Sequence, residues 1–418
     1  MKGRKIQKWV AACLCGAMLL GVTACGKQPQ QEINFVTVDD GVVQVEQTAQ
    51  LADWSYDLLR QTAVLQQKDV LLSPISAWLA LSMTGQGAVG DTKEAFADFF
   101  KGADQEQQRQ MAAWYLQSLE GSLEGTTQLD LANSIWCDDE VTVNPDFIKQ
   151  VQAYYRALIM KQDLQGNEAV QRVNSWIAKA TDDKIQNMLE YIDKDAVMLL
   201  VNALSLDAKW QQPFESADTR QRIFYAVNGA EQQMEFLHQS YSQADYLQWE
   251  QGQGIVLPYT DDRLAMVALL PDETSNCDAI VQQLSADWMK QLLEAEQLRP
   301  VQLAMPKFTM SSRLNLNEVC QAMGLSVAFD SEQADFSGLG SSEDGNIFIG
   351  RVLQNCELTV AEEGTEAAAA TVVEMKDECA AIGPDNEVAL TLDRPFVYLI
   401  LDQKTQVPLF VGIYQGQE

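Results

Sequence analysis

Helical patterns occupy most of the first half of this chain, and strand patterns occupy most of the second. Apolar residues recur at helical spacing from Leu51 to Leu65 and from Ser76 to Met83, and Asp91 and Thr92 can cap a helix that runs through Phe100. Further helical patterns cover about residues 105–120, 145–156, 167–178, 278–295 and 314–323, and strand patterns cover about residues 127–136, 197–206, 254–257, 264–270, 348–361, 387–393, 395–402 and 407–415. Because helices and strands do not alternate one by one, the pattern predicts an α+β fold with antiparallel or mixed sheets.

The N-terminus has the composition of a targeting segment. A basic stretch with Lys2 and Arg4 precedes an apolar run from Trp9 to Val22, which is too short for a membrane-spanning helix. The run ends in Val22-Thr23-Ala24-Cys25, which resembles a bacterial lipobox. That resemblance implies cleavage before Cys25 and lipidation of its thiol. An ordinary signal peptide with an incidental cysteine is the alternative.

The lipobox resemblance divides the chain into three parts. Residues 1–24 form the lipoprotein signal peptide, 25–45 the lipidated cysteine with a polar tether, and 46–418 a single large domain. A diacylated cysteine would hold the protein on the outer face of a bacterial membrane, or the domain would be released to the extracellular space.

Charge and cysteine content restrict the partners. The formal net charge is −30, which repels nucleic acid and anionic lipid, so no nucleic-acid partner is expected. Solubility and steering of cationic partners both account for this charge. Beyond Cys25 the cysteines are few, odd in number and widely spaced, which predicts buried thiols and neither a disulfide framework nor a metal site. They are Cys137, Cys277, Cys320, Cys356 and Cys379.

The single histidine, His238, leaves little room for enzyme chemistry. No acid or nucleophile lies near it in the sequence, and we interpret it as a core or strand-end residue. The sequence has no G-x-S-x-G elbow, phosphate loop or H-E-x-x-H zinc helix. We therefore expect a protein that is not an enzyme and needs no cofactor, with a surface hydrolase of unrelated fold as a remote alternative.

The stretch from Glu362 to Val373 carries the strongest functional signal. Small residues dominate it, proline is absent, and it directly follows a predicted strand. If the stretch is extended, Thr365, Ala367, Ala369 and Thr371 share one face, which is small enough to settle onto packed helices. Such a segment can enter a sheet between two existing strands.

This stretch resembles the hinge of an inhibitory serpin, and six further motifs in the family's order support the resemblance. They are Leu72-Ser73-Pro74-Ile75-Ser76, Asn202-Ala203-Leu204, Lys209-Trp210 with Pro213-Phe214, Pro306-Lys307-Phe308, Ala334-Asp335-Phe336-Ser337-Gly338 and Leu390-Thr391-Leu392-Asp393-Arg394-Pro395-Phe396-Val397-Tyr398-Leu399-Ile400. The resemblance implies helices packed around a large central mixed sheet, two smaller sheets and an exposed reactive-centre loop at about 364–386. It also implies a monomer that inhibits serine proteases through a covalent complex, with cysteine proteases as a second class of target.

In that mechanism the target protease cleaves the loop and becomes acylated by it, and the freed hinge then inserts into the central sheet. A non-inhibitory serpin that acts as a surface carrier or chaperone is the alternative, although such members usually have bulky, charged or proline residues in the hinge.

The resemblance assigns residues to two sites. The hinge residues are Glu362, Gly364, Thr365, Glu366, Ala367, Ala368, Ala369, Ala370 and Thr371, with Gly364 as the pivot. The polar cluster that lies under the opening sheet comprises Ser73, Ser76 and Asn202, and Trp210 lies near the point of insertion. Gln354 stands where the family often has histidine, and its amide can both donate and accept hydrogen bonds.

The family's spacing from Gly364 places the reactive bond between Glu378 and Cys379. A cut after Glu378 suits a glutamyl-specific protease, one near Cys379 or Ala380 suits an elastase-like or subtilisin-like protease, and one after Lys376 suits a trypsin-like or Lys-specific protease. The small apolar residues that follow Glu378 favour the elastase-like or subtilisin-like class. The Cys379 thiol is either incidental or a site of oxidation.

Overall fold

A computed structural model describes residues 35–39, 41–66, 68–120, 127–192, 196, 198–343, 345–366 and 387–416. Residues from Phe35 onward form one compact unit. The prediction of an α+β fold is confirmed, with helices around a large mixed sheet.

Local sequence signals explain how several helices begin and end. Pro145 opens one helix, and the side chain of the preceding Asn144 accepts a hydrogen bond from the Asp146 N–H at 2.9 Å. That helix ends at Tyr155, and the following Arg156 has a left-handed φ of 54°. The helices are α1 (Val45–Gln66), α2 (Pro74–Gly85), α3 (Gly90–Phe99), α4 (Gln105–Glu120), α5 (Pro145–Tyr155), α6 (Asn167–Ala180), α7 (Cys277–Gln283), α8 (Ala286–Glu294) and α9 (Asn317–Cys320).

The strands concentrate in the second half, as the sequence predicts. They are β1 (Val70–Leu72), β2 (Gln128–Cys137), β3 (Thr142–Val143), β4 (Leu158–Lys161), β5 (Met198–Lys209), β6 (Arg220–Tyr225), β7 (Glu231–Trp249), β8 (Gly252–Pro258), β9 (Leu264–Pro271), β10 (Gln297–Pro306), β11 (Phe308–Asn315), β12 (Gly340–Ser341), β13 (Leu353–Val360), β14 (Gly364–Glu366), β15 (Val388–Thr391), β16 (Phe396–Asp402) and β17 (Pro408–Tyr414).

Six of these strands form the central sheet, in the order β11-β13-β14-β5-β2-β4. The pairs are antiparallel except for β2 and β4, which run parallel, so the sheet is mixed. The very short β14 lies between two long strands. Its position makes this sheet the frame of the candidate site.

The other strands form a nine-stranded sheet and a two-stranded pair of β3 with β12. In the nine-stranded sheet, β16 and β17 are buried at every position. Such strands have continuous apolar sequences because both of their faces are covered. The sheet thus supplies much of the core, and the central sheet shares that core on one of its faces.

A second, smaller apolar cluster lies between α6 and the central sheet. Trp176 of α6 meets Trp136 of β2 edge to face, with ring centroids 6.2 Å apart. The segment that follows α6 also reaches this cluster through the buried residues Ile185, Met188 and Leu189. Helix α6 and the segment after it therefore cover part of the sheet.

Residues 35–39, which belong to the predicted tether, contact the domain. The Val36 N–H donates to the Ala153 carbonyl at 3.0 Å, and the Val38 N–H donates to the Gln117 side chain at 3.0 Å. Val38 is 7 % exposed, and Phe35 lies under the Arg156 guanidinium.

Two predicted helices differ in detail from those in the structure. The pattern at 278–295 is two helices, α7 and α8, because Ser285 is extended and caps the second one by accepting a hydrogen bond from the Trp288 N–H at 3.1 Å. The first residues of the pattern at 314–323 belong to β11, since Leu314 pairs with Gln354 across the sheet. The short helix α9 follows them. In the described part of the chain, no helix is both long and apolar enough to cross a membrane.

Candidate functional site

The first residues of the predicted hinge form β14, which is seated between β13 and β5. Thr365 pairs with Val360 of β13 on one side and with Ala208 of β5 on the other, and its side chain is fully buried. Gly364 pairs with Lys209, and the backbone of Glu366 pairs with Thr359. The hinge thus begins as a short middle strand with neighbours on both sides.

Glycine at position 364 is required by close packing of the backbone. A Cβ at this position would lie 2.7 Å from Cα of Lys209, closer than real Cβ atoms approach other main-chain atoms. The absence of a side chain therefore lets the chain enter the sheet directly beside β5.

Glu362, which lies just before β14, binds two side chains from neighbouring segments. One carboxylate oxygen lies 2.9 Å from Nζ of Lys307, and the other accepts a hydrogen bond from the Thr219 hydroxyl at 2.9 Å. Glu362 is 4 % exposed. Burial raises the pKa of this carboxyl, but the hydrogen bonds from Lys307 and Thr219 outweigh burial and lower the pKa below its ordinary value.

Trp210 holds the same segment through its side chain and its backbone. The indole Nε1 donates to the Ala361 carbonyl at 2.9 Å, and the Trp210 backbone N–H donates to the Glu363 carbonyl at 2.9 Å. Its ring stacks on Tyr259 with centroids 4.7 Å apart. The Tyr259 hydroxyl in turn lies 2.6 Å from the Thr365 hydroxyl, so Trp210 and Tyr259 tie β14 to the core.

Farther along β13, the side chain of Gln354 forms hydrogen bonds to the start of α2. Its Oε1 accepts from the Ser73 backbone N–H at 3.1 Å, and its Nε2 donates to the Ser73 carbonyl at 2.7 Å. One amide thus both accepts and donates, which fixes its orientation. These two hydrogen bonds join β13 to the start of α2.

Ser76 and Asn202 form a second polar link beneath the sheet. The Ser76 hydroxyl donates to Oδ1 of Asn202, whose Nδ2 donates to Oδ1 of Asn133. Asn133 then donates to the Tyr155 carbonyl at 3.1 Å. This chain joins α2 to β5, β2 and the end of α5, and all three polar side chains are buried.

Several site residues lie outside the described residues. They are the hinge residues Ala367, Ala368, Ala369, Ala370 and Thr371, the candidate reactive-bond residues Lys376, Glu378, Cys379 and Ala380, and the lipidation site Cys25.

Sequence reasoning missed four residues that the structure brings to the site. Lys307 belongs to a quoted motif but had no assigned role, and Thr219, Tyr259 and Asn133 lay in no motif. A lysine between two apolar strands was a usable signal, because a half-buried lysine needs an acidic partner. Nothing in the local sequence marked the other three.

The histidine and the described cysteines are buried or half-buried. His238 is half-buried in β7, and its Nδ1 lies 3.0 Å from the Phe236 carbonyl oxygen. Burial lowers the pKa of the imidazole, and the nearby charges of Arg222 and Arg220 lower it further. Cys137, Cys277, Cys320 and Cys356 are free and buried, and burial raises the pKa of each thiol to about 12. Among the described residues, no cluster of acidic, histidine or cysteine side chains could hold a metal ion.

Curated proteins of known sequence resemble the chain over most of its length. An uncharacterized serpin-like protein of Thermococcus kodakarensis is 29% identical over 362 residues, which cover 86% of this chain and 83% of the relative. Human Serpin B8 is 29% identical over 363 residues, covering 84% of this chain and 93% of the relative.

Solved structures agree with the fold. Native tengpin, a thermophilic serpin, superposes with a TM-score of 0.83 and 31% identity, over 92% of this chain and 97% of tengpin. Latent tengpin gives a TM-score of 0.77 with 27% identity, over 92% and 100% of the two chains. A family model for serpins matches residues 49–415. The chain therefore belongs to the serpin family, whose members are generally inhibitors of serine proteases rather than enzymes.

Proposed function

We propose that this chain inhibits serine proteases by trapping them as covalent acyl-enzymes. The observation that carries the proposal is β14, which lies between β13 and β5 and is paired on both sides. Beyond β14 the strands β13 and β5 approach each other, and the small residues that follow Glu366 in the sequence suit a strand that enters between them once they separate.

The chemistry is divided between the two proteins. The catalytic serine of the protease attacks the carbonyl of the reactive bond, the peptide bond breaks, and the new amine leaves with a proton from the protease's general acid. The serpin remains attached through an ester. Continuation of β14 along β13 and β5 then adds main-chain hydrogen bonds, each contributing about 1 kcal/mol.

The loop sequence sets the target class. The nominal reactive bond is Glu378–Cys379, and the small apolar residues after Glu378 favour elastase-like or subtilisin-like proteases. Cleavage after Lys376 would indicate a trypsin-like or Lys-specific target instead, and mass spectrometry of the cleaved loop distinguishes these cases.

The lipid on Cys25 belongs to the same proposal. The basic and apolar N-terminal residues and the Val22-Thr23-Ala24-Cys25 sequence support attachment to the outer face of a bacterial membrane. Metabolic labelling with a radioactive fatty acid tests it: label should enter the wild type, and a Cys25→Ala variant should take up none.

The inhibition test mixes the protein with neutrophil elastase, subtilisin, trypsin and a glutamyl endopeptidase, followed by denaturing gels. We expect a band at the summed mass that survives boiling in detergent. Clean cleavage of the loop by every protease, with full protease activity left, would contradict inhibition of these classes and favour a non-inhibitory serpin that acts as a carrier or chaperone.

A matched pair of hinge variants makes the test specific. Thr365→Arg places a long charged side chain at a fully buried position between two strands, so insertion should slow and the protein should become a cleaved substrate. Thr365→Ser keeps the hydroxyl that contacts Tyr259 and should still form the complex. Equal complex yields from both variants would contradict insertion through β14.

A further inference from the structure

An open cavity of about 180 Å³ lies where strand β7 parts from strand β8. The two strands pair as far as Asp245 and Val256, beyond which β7 continues along β10 and the last residues of β8 pair with β9. The segment that follows β5 bounds the opening, because the Gln211 N–H donates to the Pro258 carbonyl at 2.9 Å. The cavity therefore occupies a fork between two strands.

The walls of this cavity combine apolar surface with one carboxylate. Val256 and Leu257 of β8 and Leu298 of β10 line it, and Leu298 is 64 % exposed. Asp245 lines it as well, and none of the described residues that line it is basic. The volume equals that of about six water molecules at about 30 Å³ each. The cavity therefore suits a molecule smaller than the drug-sized ligands of larger pockets.

Strand pairing places the Asp245 side chain on the face that carries the cavity. Asp245 lies directly opposite Val256 of β8 on one side and directly opposite Leu298 of β10 on the other. Side chains of directly opposed residues in antiparallel strands lie on the same face of the sheet. Because both partners line the cavity and Asp245 is only half-buried, the three side chains surround one opening.

The Asp245 carboxylate has neither an ion pair nor a hydrogen bond with any described residue. Arg299, which follows Leu298, lies instead over the Tyr246 ring, with its Cζ 5.8 Å from the ring centroid and on the other face of the sheet. Burial raises the pKa of the Asp245 carboxyl, whose charge in turn raises the pKa of the nearby Glu296 carboxyl. A partly buried carboxylate without a partner is stabilised by a bound cation.

We propose that this cavity binds a small organic amine. The protonated amine donates hydrogen bonds to the Asp245 carboxylate, and its apolar body lies against Val256 and Leu298. The net charge of −30 favours cations over anions, and the apolar walls favour amines that carry a hydrocarbon body. Trp210, which also lines the cavity, binds the segment that leads into β14. The site is separate from the reactive loop, and its test requires no protease.

The test is calorimetry and saturation-transfer NMR on the full chain with phenethylamine. Its neutral and anionic analogues are 2-phenylethanol and 3-phenylpropionate, and methylammonium is the cation without a body. We expect saturable binding of phenethylamine, about tenfold weaker binding of 2-phenylethanol and of methylammonium, and no binding of 3-phenylpropionate. No binding of phenethylamine would overturn the proposal. Equal binding of methylammonium would also overturn it, because it would show general attraction of counterions to the negative surface.

Variants separate the carboxylate from the apolar wall. Asp245→Asn removes the charge at nearly constant shape and should weaken phenethylamine binding about tenfold while it leaves 2-phenylethanol binding unchanged. Glu250→Gln, an exposed carboxylate outside the cavity, is the matched control and should bind normally. Leu298→Ala should weaken phenethylamine about threefold and leave methylammonium unchanged.

Thermal melts establish that each variant is folded. We expect Asp245→Asn to melt at or above the temperature of the wild type, because the carboxylate that it replaces has no partner among the described residues. Phenethylamine affinity that is unchanged in folded Asp245→Asn would overturn the proposal, as would an equal loss of affinity in Glu250→Gln.

A further probe distinguishes a free amine from a lysine side chain on a partner protein, since both present the same ammonium group. The probe is Nα-acetyl-lysine N-methylamide, whose main chain exceeds the room in a cavity of this volume. We expect it to bind more weakly than phenethylamine. Equal or tighter binding of this probe would overturn the assignment to a free amine and indicate a lysine of a partner protein.

Discussion

Glu362 joins three parts of the molecule through one carboxylate. Lys307 follows β10, Thr219 precedes β6, and Glu362 itself leads into β14. The Glu362 carbonyl also accepts the Phe214 N–H at 2.9 Å. Because Lys307 is largely covered, loss of Glu362 would leave its charge with only a longer contact to Glu235, at 3.8 Å.

We therefore expect Glu362→Gln to lower the free energy of unfolding by about 2 kcal/mol, since a hydrogen bond to a charged group contributes about 1.5–3 kcal/mol. Denaturant unfolding monitored by tryptophan fluorescence measures the change. Glu363→Gln is the control, because Glu363 is an exposed neighbour. A control that is equally destabilised would show that the Lys307 contact is unimportant.

The same carboxylate makes stability depend on pH. Its pKa is lower in the folded state, so its contribution is fully present above the unfolded pKa of about 4.3 and is lost as pH falls through the folded value. We expect the wild type to lose more stability than Glu362→Gln between about pH 5 and pH 3. Parallel losses in both proteins would assign the acid sensitivity to other carboxyls.

At the scale of elements, the residues before α1 behave as part of the domain. Val38 is buried and its N–H is bonded to Gln117 of α4, whereas the adjacent Thr37 is exposed. We expect Val38→Asp to reduce the free energy of unfolding by about 2 kcal/mol, from lost apolar burial and a poorly solvated charge. Thr37→Asp adds the same charge one residue away and should have little effect in the same thermal melt.

The segment after α6 links the strands on the two sides of the β5–β13 boundary, where the loop would insert. Lys184 contacts Asp130 of β2 at 3.3 Å, on the β5 side. On the other side, Glu190 pairs with Arg313 of β11 at 3.2 Å, and Arg351 donates to the Tyr191 carbonyl at 2.8 Å. Separation of β5 from β13 must therefore stretch or release one of these links.

We expect Arg351→Ala to speed insertion of the loop about two- to fivefold, because it removes an exposed contact of under about 1 kcal/mol that resists separation of the strands. The rate can be followed by fluorescence after loop cleavage. Arg172→Ala is the control, because it removes contacts to Glu168 and Gln162, neither of which lies on β5 or β13. A rate unchanged by Arg351→Ala would indicate that this end of the segment does not limit insertion.

At the scale of the whole molecule, the seated β14 between two long strands predicts a gain in stability after loop cleavage. Cleavage frees one end of the loop, so the hinge can then add a full strand to the central sheet. We expect the melting temperature to rise by tens of degrees after cleavage and to stay unchanged in Thr365→Arg. Calorimetry of intact and cleaved protein measures it, and no rise in the wild type would contradict a spring mechanism.

The sequence alone determined the fold class, and its resemblance to the serpin motifs identified the family. Helices precede strands, the strands that are buried on both faces are continuous apolar runs, and the small residues after Gly364 suit a strand that must enter a sheet. These features are local: they depend on periodicity and side-chain size, which can be read along the chain. The assignment of Gln354 came instead from the resemblance to the family, and in the structure its amide both donates and accepts.

Only the tertiary structure decided which side chains hold the hinge in place. Thr219 and Glu362 are 143 positions apart in the chain, Tyr259 and Thr365 are 106 apart, and Asn133 and Asn202 are 69 apart. Each pairing depends on strand order and register, because a shift of one residue turns every side chain to the opposite face. Packing also supplied the reason for Gly364, since the main chain of β5 lies where a Cβ would be.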